Sequence, residues 1–376
     1  MDFSLSEEQQ LLKDSVDRFV REEYELEARR KLVDSEDGFS RQHWRQMAEL
    51  GWLGVAMPEE YGGIGGGPVE TMVIMEAIGT GLVLEPYFAN VVLGANAVAF
   101  AGSAAQKAEI LPKLAEGEAM LALAYAEPQA RFDLHDVQVS AEKDGDGYVL
   151  SGHKAVVLNA ASADRIIVSA RTAGDSRDLD GISLFIVDAD AAGLERRDYP
   201  TVDGLRASEV TLEKVTVGAD ARLGAEGEGL AVLERVAEHG IVALAAEAVG
   251  AMQVLLDTTN EYLKTRVQFG QPIGKFQVLQ HRMVDMFMNV EESRSMAYMA
   301  TMKVDDEDAA ERARAVAAAK VQIGKSGRFV GQQSIQLHGG MGMTDELSVG
   351  HYFKRLTMID TMLGNQDHHL RRYGEI

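Results

Sequence analysis

The chain has 376 residues, 46% of them hydrophobic, no cysteine, and a formal net charge of −22. That length supports a large core and two or three domains, and the composition excludes intrinsic disorder, disulfides, thiolate metal sites and a cysteine nucleophile. The acidic balance excludes sequence-independent nucleic-acid binding and a basic membrane-binding face, since both rely on Lys and Arg meeting phosphate.

The opening segment MDFSLSEEQQ is acidic and lacks the apolar core of a secretory leader. Ser6 and Gln9 have capping-box spacing, and Leu11, Leu12, Val16 and Phe19 follow at helical intervals. Five glycines in "MPEEYGGIGGGPVE", Met57 to Glu70, make that run a loop. A tight connection between helices is the preferred reading over a phosphate cradle. The most apolar stretch, Gly81 to Gly102, is broken by Glu85, Pro86 and Asn90, and no segment reads as a membrane span. A cytoplasmic protein is expected. "SAAQKAEILPKLAEGE" returns to helical spacing.

From about Leu121 the pattern changes to short alternating runs. "DVQVSAEKDGDGYVLSG" carries a hairpin signal at Asp144–Gly147, and "RIIVSA", "ISLFIVD" and "VTLEKVTV" follow between turn residues. This spacing predicts a small β-barrel or sandwich. After Gly229 the chain is rich in Ala, Leu, Glu, Lys and Gln and predicts helices again. Its methionines (Met283, Met286, Met288, Met296, Met299, Met302) are expected mostly as core filler.

Five strings resemble the acyl-CoA dehydrogenase family. They are "YAEP" (Tyr125–Pro128), "DGYVLSGHKAVVLNAASAD", "LGAEGEGL", "RVQFGQPIGKFQVLQHRMVDM" (Arg266–Met286) and "QLHGGMGMTDE" (Gln336–Glu346). The resemblance spans essentially the whole chain. It implies an N-terminal helical domain (1–120), a central β-barrel (121–228) and a C-terminal four-helix bundle (229–376). It also implies FAD, an acyl-CoA thioester substrate, electron-transfer flavoprotein as acceptor, and a dimer or dimer of dimers. The implied chemistry is α-proton removal by a Glu and hydride transfer to the flavin. Donors must hold the enolate charge that develops on the thioester oxygen.

Carried over residue by residue, the resemblance assigns Arg266, Phe269, Gly270, Gln277, Gln336, Gly339 and Gly340 to the FAD of a neighbouring subunit. The guanidinium fork of Arg266 suits a diphosphate, and the glycines allow close backbone approach. The half serving the chain's own flavin departs from the family pattern. Ala126 replaces a Thr, Arg131-Phe132-Asp133 replaces "GSD", and Val156-Val157-Leu158 replaces "W-I-T/S". An apolar Val can still pack in this strand, so a structural role is expected of it. Leu158 has no hydrogen bond for the flavin ring.

The family's catalytic Glu falls on Leu363 by a gap-free count from Gly339-Gly340, with the following glycine kept as Gly364. The alternative Glu position, counted back from Phe269-Gly270, falls on Gly240. Both have lost the carboxylate. Glu238, His239, Glu247, Asp367, His368 and His369 lie near one position or the other. The His pair is read first as a polar helix end or an interface contact.

The donated elements are kept while the chain's own site is eroded. The chain thus resembles the partner that lacks the base in heterotetrameric family members of lipid or steroid degradation. The leading expectation is a subunit that completes the FAD site of a catalytic partner. Two alternatives stand beside it, a homomeric flavoenzyme with a relocated base and a non-catalytic acyl-CoA-binding or structural subunit. Arg206 and Arg131 are further candidates for contact with substrate or CoA phosphates, or ordinary surface charges.

Overall fold

The computed structural model describes residues 4–376, so the first three residues of the acidic opening segment lie outside the described residues. Contacts divide the chain into two compact units, each assembled from separated stretches. One contains the stretch ending at Lys31, Pro68–Val83 and Ile241–Ile376, and the other contains Leu32–Gly67 and Leu84–Gly240.

Along the chain the first helices are α1 (Glu7–Glu23), α2 (Leu26–Val33), α3 (Arg41–Glu49), α4 (Pro68–Gly81), α5 (Asn96–Ala101) and α6 (Ala104–Ala115). After the strands come α7 (Gly229–Thr265), α8 (Gln277–Lys303), α9 (Ala309–His338), α10 (Ser348–Thr361) and α11 (Gln366–Glu375). The strands are β1 (Leu121–Ala124), β2 (Ser140–Asp144), β3 (Gly147–Leu158), β4 (Arg165–Arg171), β5 (Ile182–Asp188), β6 (Leu194–Pro200), β7 (Arg206–Val217) and β8 (Arg222–Leu223). A separate hairpin, β9 (Val267–Gln268) and β10 (Gln271–Pro272), follows α7.

In the helical unit, α1 starts where its sequence says it should. Ser6 Oγ accepts the Gln9 N–H at 3.2 Å and Gln9 Oε1 accepts the Ser6 N–H at 2.9 Å, closing the capping box. Val16, Phe19 and Val20 then bury against α4. The crossing of α4 and α7 is set by glycine. A Cβ on Gly79 would lie 2.0 Å from the Glu247 carbonyl oxygen, and one on Gly250 would lie 2.0 Å from that of Glu76. The two backbones are therefore in direct contact. The N-cap Asp308 starts α9, which packs against α8, α10 and α11.

Two expectations need correcting here. The helix α7 is long and apolar enough to cross a membrane, contrary to the reading that no segment is. Its apolar window is 83% buried inside the protein, as befits a core helix apolar on all sides. The α8 methionines are also not mainly core. Met286 is fully buried, but Met288 and Met302 are 48% and 49% exposed, because α8 turns one face outward with Val278, Val284 and Phe287.

In the other unit the strands form one mixed sheet in the order β6-β7-β3-β2-β4-β5-β8, with β1 added parallel to β4. The Asp144–Gly147 turn closes the β2–β3 hairpin as its residues dictate. Tyr148 on β3 and Phe185 on β5 touch with ring centroids 4.9 Å apart, although two strands separate them in the sheet. At roughly 4.8 Å per strand a flat sheet would hold them about 14 Å apart. The sheet is therefore strongly curved around its core of Val139, Leu150, Ile166, Val168, Val210 and neighbours. Helical ends with a central mixed sheet match the expected fold class. The Gly-rich run is a connection: a Cβ on Gly63 would lie 2.0 Å from the Met57 carbonyl oxygen.

Candidate functional site

The residues assigned by resemblance to FAD gather at one exposed end of the helical unit. Tyr262 near the end of α7 stacks on His338 at the end of α9, with ring centroids 4.4 Å apart. The Arg266 N–H donates to the Tyr262 carbonyl at 2.8 Å, and Gly339 follows His338 directly. Two segments about seventy residues apart in sequence thus meet. Arg266, Phe269, Gly270, Gln277, Gln336, Gly339 and Gly340 are all exposed. Among the described residues no side chain engages the Arg266 guanidinium. Nothing lies within 4 Å of a Cβ built on Gly270, Gly339 or Gly340.

Phe269 and Gly270 form the two-residue tip of the β9–β10 hairpin, with φ of +52° and +78°. Positive φ at both centres defines a type I′ turn, which suits glycine and strains phenylalanine. Phe269 is 90% exposed. A free guanidinium, two amide side chains, open glycines and an unburied aromatic ring suit an anionic, ring-bearing group held against a second surface. This end of the chain fits FAD.

The stretch around Leu363 is rigidly held. Leu363 has φ +55° and Gly364 φ +99°, which turns the chain sharply between α10 and α11. Asp360 Oδ1 accepts the Gln366 N–H at 3.1 Å, and the N-cap Asn365 accepts the His368 N–H at 3.0 Å. Lys320, fully buried on α9, donates to the Ile359 and Asp360 carbonyls at the end of α10. Leu363 itself, half-buried, packs against an apolar cluster formed by Ile241, Val242, Ala300, Val304, Val316 and Ala319.

Two groups weighed as a relocated base are committed elsewhere. Glu247 is buried and pairs with Arg355 through two bonds of 2.5 and 2.7 Å. His369 is buried, and its Nε2 donates to the Leu363 carbonyl at 2.8 Å. Burial pushes its pKa down to about 3. Asp367 is exposed on the first turn of α11. Gly240 and Glu238 are buried on α7 in the other unit, and the half-buried His239 packs against Phe100 at 5.1 Å.

Of the two valines, Val157 packs in β3 and Val156 does not. It sits at an irregularity of the β3–β7 register with φ +52° and is exposed, while Val157 is buried and Leu158 half-buried. Ala126 presents its carbonyl to the Ala155 N–H at 2.9 Å. Arg206 is not free for a phosphate, since its Nη2 donates to the Val33 and Ser35 carbonyls at 3.1 and 3.0 Å. Arg131 is exposed, with φ +53°.

One pair escaped the sequence reading although both members lie in the quoted strings. Lys154 Nζ, wholly buried, donates to Glu127 Oε1 at 2.6 Å and to Ser169 Oγ at 2.8 Å. Glu127 also accepts the Gln138 and Val139 N–H groups. Burial pushes the Glu127 carboxyl up, but the Lys154 charge and these donors outweigh it and hold the group below its ordinary range. The signal was present: a lysine among apolar strand residues needs an anion to be buried at all. The pair ties "YAEP" to β3.

Comparison with known proteins agrees along the whole chain. Family models for the N-terminal, middle and C-terminal domains of acyl-CoA dehydrogenases match residues 6–118, 122–215 and 227–375. A probable acyl-CoA dehydrogenase of Bacillus subtilis, YngJ, is 33% identical over 98% of this chain and 97% of its own. Among solved structures, the steroid acyl-CoA dehydrogenase Tcur3481–Tcur3483, in a glycine-to-alanine variant, superposes with a TM-score of 0.89 at 32% identity, covering 99% of this chain and 98% of that one. The ChsE4–ChsE5 complex of Mycobacterium tuberculosis superposes at 0.90 with 29% identity, covering 100% and 98%. The chain belongs to the acyl-CoA dehydrogenase family, whose members are FAD-dependent oxidoreductases of acyl-CoA thioesters.

Proposed function

We propose that this chain is a subunit of a heteromeric acyl-CoA dehydrogenase, lacks its own catalytic Glu, and completes the FAD site of a related catalytic chain. The observation that carries this reading is Leu363. The position that the family's glycine spacing gives to the base is held by leucine in an apolar niche, on a turn pinned by Lys320, Asp360 and His369. The exposed end with Arg266, Phe269, Gln277, Gln336, Gly339 and Gly340 supports it from the other side, as does the outward apolar face of α8. Two of the similar solved structures carry paired chain names, one described as a complex and the other as a steroid acyl-CoA dehydrogenase. When bound, FAD accepts the hydride from the substrate. Arg266 neutralises its diphosphate, Phe269 covers apolar surface, and the glycine loop lets backbone come close. Lipid or steroid acyl-CoA is the substrate class that follows.

The test is purification of the chain alone and with a related chain from an adjacent gene. Dehydrogenation of a panel of acyl-CoA thioesters is followed with an artificial electron acceptor, alongside native mass and flavin content. The expected result is no turnover alone and turnover in the mixed assembly, falling with Arg266→Ala in this chain. Full turnover with one FAD per chain in the homo-oligomer overturns the reading, and Asp367→Asn or Glu238→Gln then identifies the base.

A further inference from the structure

Resting on that reading, we propose that the stacked rings of Tyr262 and His338 are a positioning pair that sets the separation of the Arg266 arm from the Gly339–Gly340 loop, and so tunes FAD affinity. The two donor segments come from the ends of different helices. Something must hold them at one spacing, because a charged fork on the diphosphate and a backbone loop at the adenosine end grip one FAD only at matched distance. The ring contact does this at the right place. Its centroids are 4.4 Å apart with the planes tilted by 32°. Each ring is wired directly to one donor segment. The Tyr262 carbonyl accepts the Arg266 N–H, and the Ile273 N–H closes back on the Arg266 carbonyl at 2.9 Å. On the other side Gly339 follows His338, and its N–H caps α9 on the Gln336 carbonyl.

His338 is itself locked. It is 3% exposed, and its Nδ1 lies 2.8 Å from the Ser334 carbonyl. A carbonyl only accepts, so Nδ1 carries the proton and the tautomer is set. Burial lowers its pKa, keeping the ring neutral against Tyr262. A second brace, Arg282 Nη1 to Gln333 Oε1 at 2.8 Å, ties α8 to α9 one turn back. At the α7 end, the contact beside Arg266 that reaches α9 is the ring pair.

The experiment is FAD titration of the assembled, flavin-stripped complex by flavin fluorescence, with thermal midpoints measured in parallel. Tyr262→Leu and His338→Leu are expected to weaken FAD binding about tenfold, equivalent to about 1.4 kcal/mol. Tyr262→Phe, which keeps the ring, is expected to bind as the parent does. Val290→Ala, a buried change on α8, lowers the thermal midpoint without moving FAD affinity. If both leucine variants bind FAD within twofold of the parent while Arg266→Ala binds weakly, the positioning role is wrong and the donated site stands. If Arg266→Ala also binds normally, the proposed function and the positioning role fall together.

Discussion

At residue 363 the chain carries a leucine in a left-handed turn, and the buried His369 ring beside it is committed to holding that turn. The His369 Nε2–H is spent on the Leu363 carbonyl, and Gly364 admits the ring. A Cβ there would come within 2.6 Å of Nε2. Because the folded-state pKa of His369 is depressed to about 3 by burial, the unfolded chain binds one more proton between that value and about 6.5. Stability from this residue is therefore full above pH 6.5 and falls with acid, by up to about 1.4 kcal/mol per pH unit. His369→Gln is expected to flatten the acid limb of urea-midpoint profiles between pH 6.5 and 3, and an unchanged slope would count against the assignment. That the family's Glu position falls on Leu363 is what the count from Gly339-Gly340 implies. The commitments of His369, Glu247 and Arg206 were not legible in the sequence, because two of the three bond to backbone carbonyls, which every residue has, and the third to an arginine 108 positions away.

Among the secondary-structure elements, local chemistry was the readable part. The capping box at Ser6, the hairpin at Asp144–Gly147, the continuous apolar runs of β4 and β5 and the partial alternation of β7 each follow from side chains within a few positions. The π-helix at Phe88–Ala95 left no such trace, since its wider turn is selected by packing rather than by propensity. Nor did the crossing of α4 and α7, where Gly79 and Gly250 read only as weak helix formers. Gly79→Ala pushes a methyl into the Glu247 carbonyl, which helix backbones cannot yield without parting. We expect Gly79→Ala to destabilise the fold by about 1–3 kcal/mol in denaturant melts, several times the effect of Gly374→Ala, whose Cβ meets nothing. Equal effects at the two sites would refute the close crossing.

For the whole molecule, five strings spread from Tyr125 to Glu346 sufficed to reach the family and its fold class. The regrouping of separated stretches into two compact units was out of reach, because composition reports neighbours in sequence and not in space. So was the outward face of α8, whose Met288 and Phe287 look like core until the fold shows which side is covered. The hairpin tip at Phe269 has a consequence for the living cell. Under the proposed function, a strained backbone that holds a phenylalanine almost fully in water would mark a copy that has not met its counterpart, and quality-control machinery reads such marks. Expressed without its companion, the chain is expected to decay several-fold faster in a translation-arrest chase, and Phe269→Ser to lengthen that half-life. Equal lifetimes with and without the companion would show that the exposed ring carries no such message.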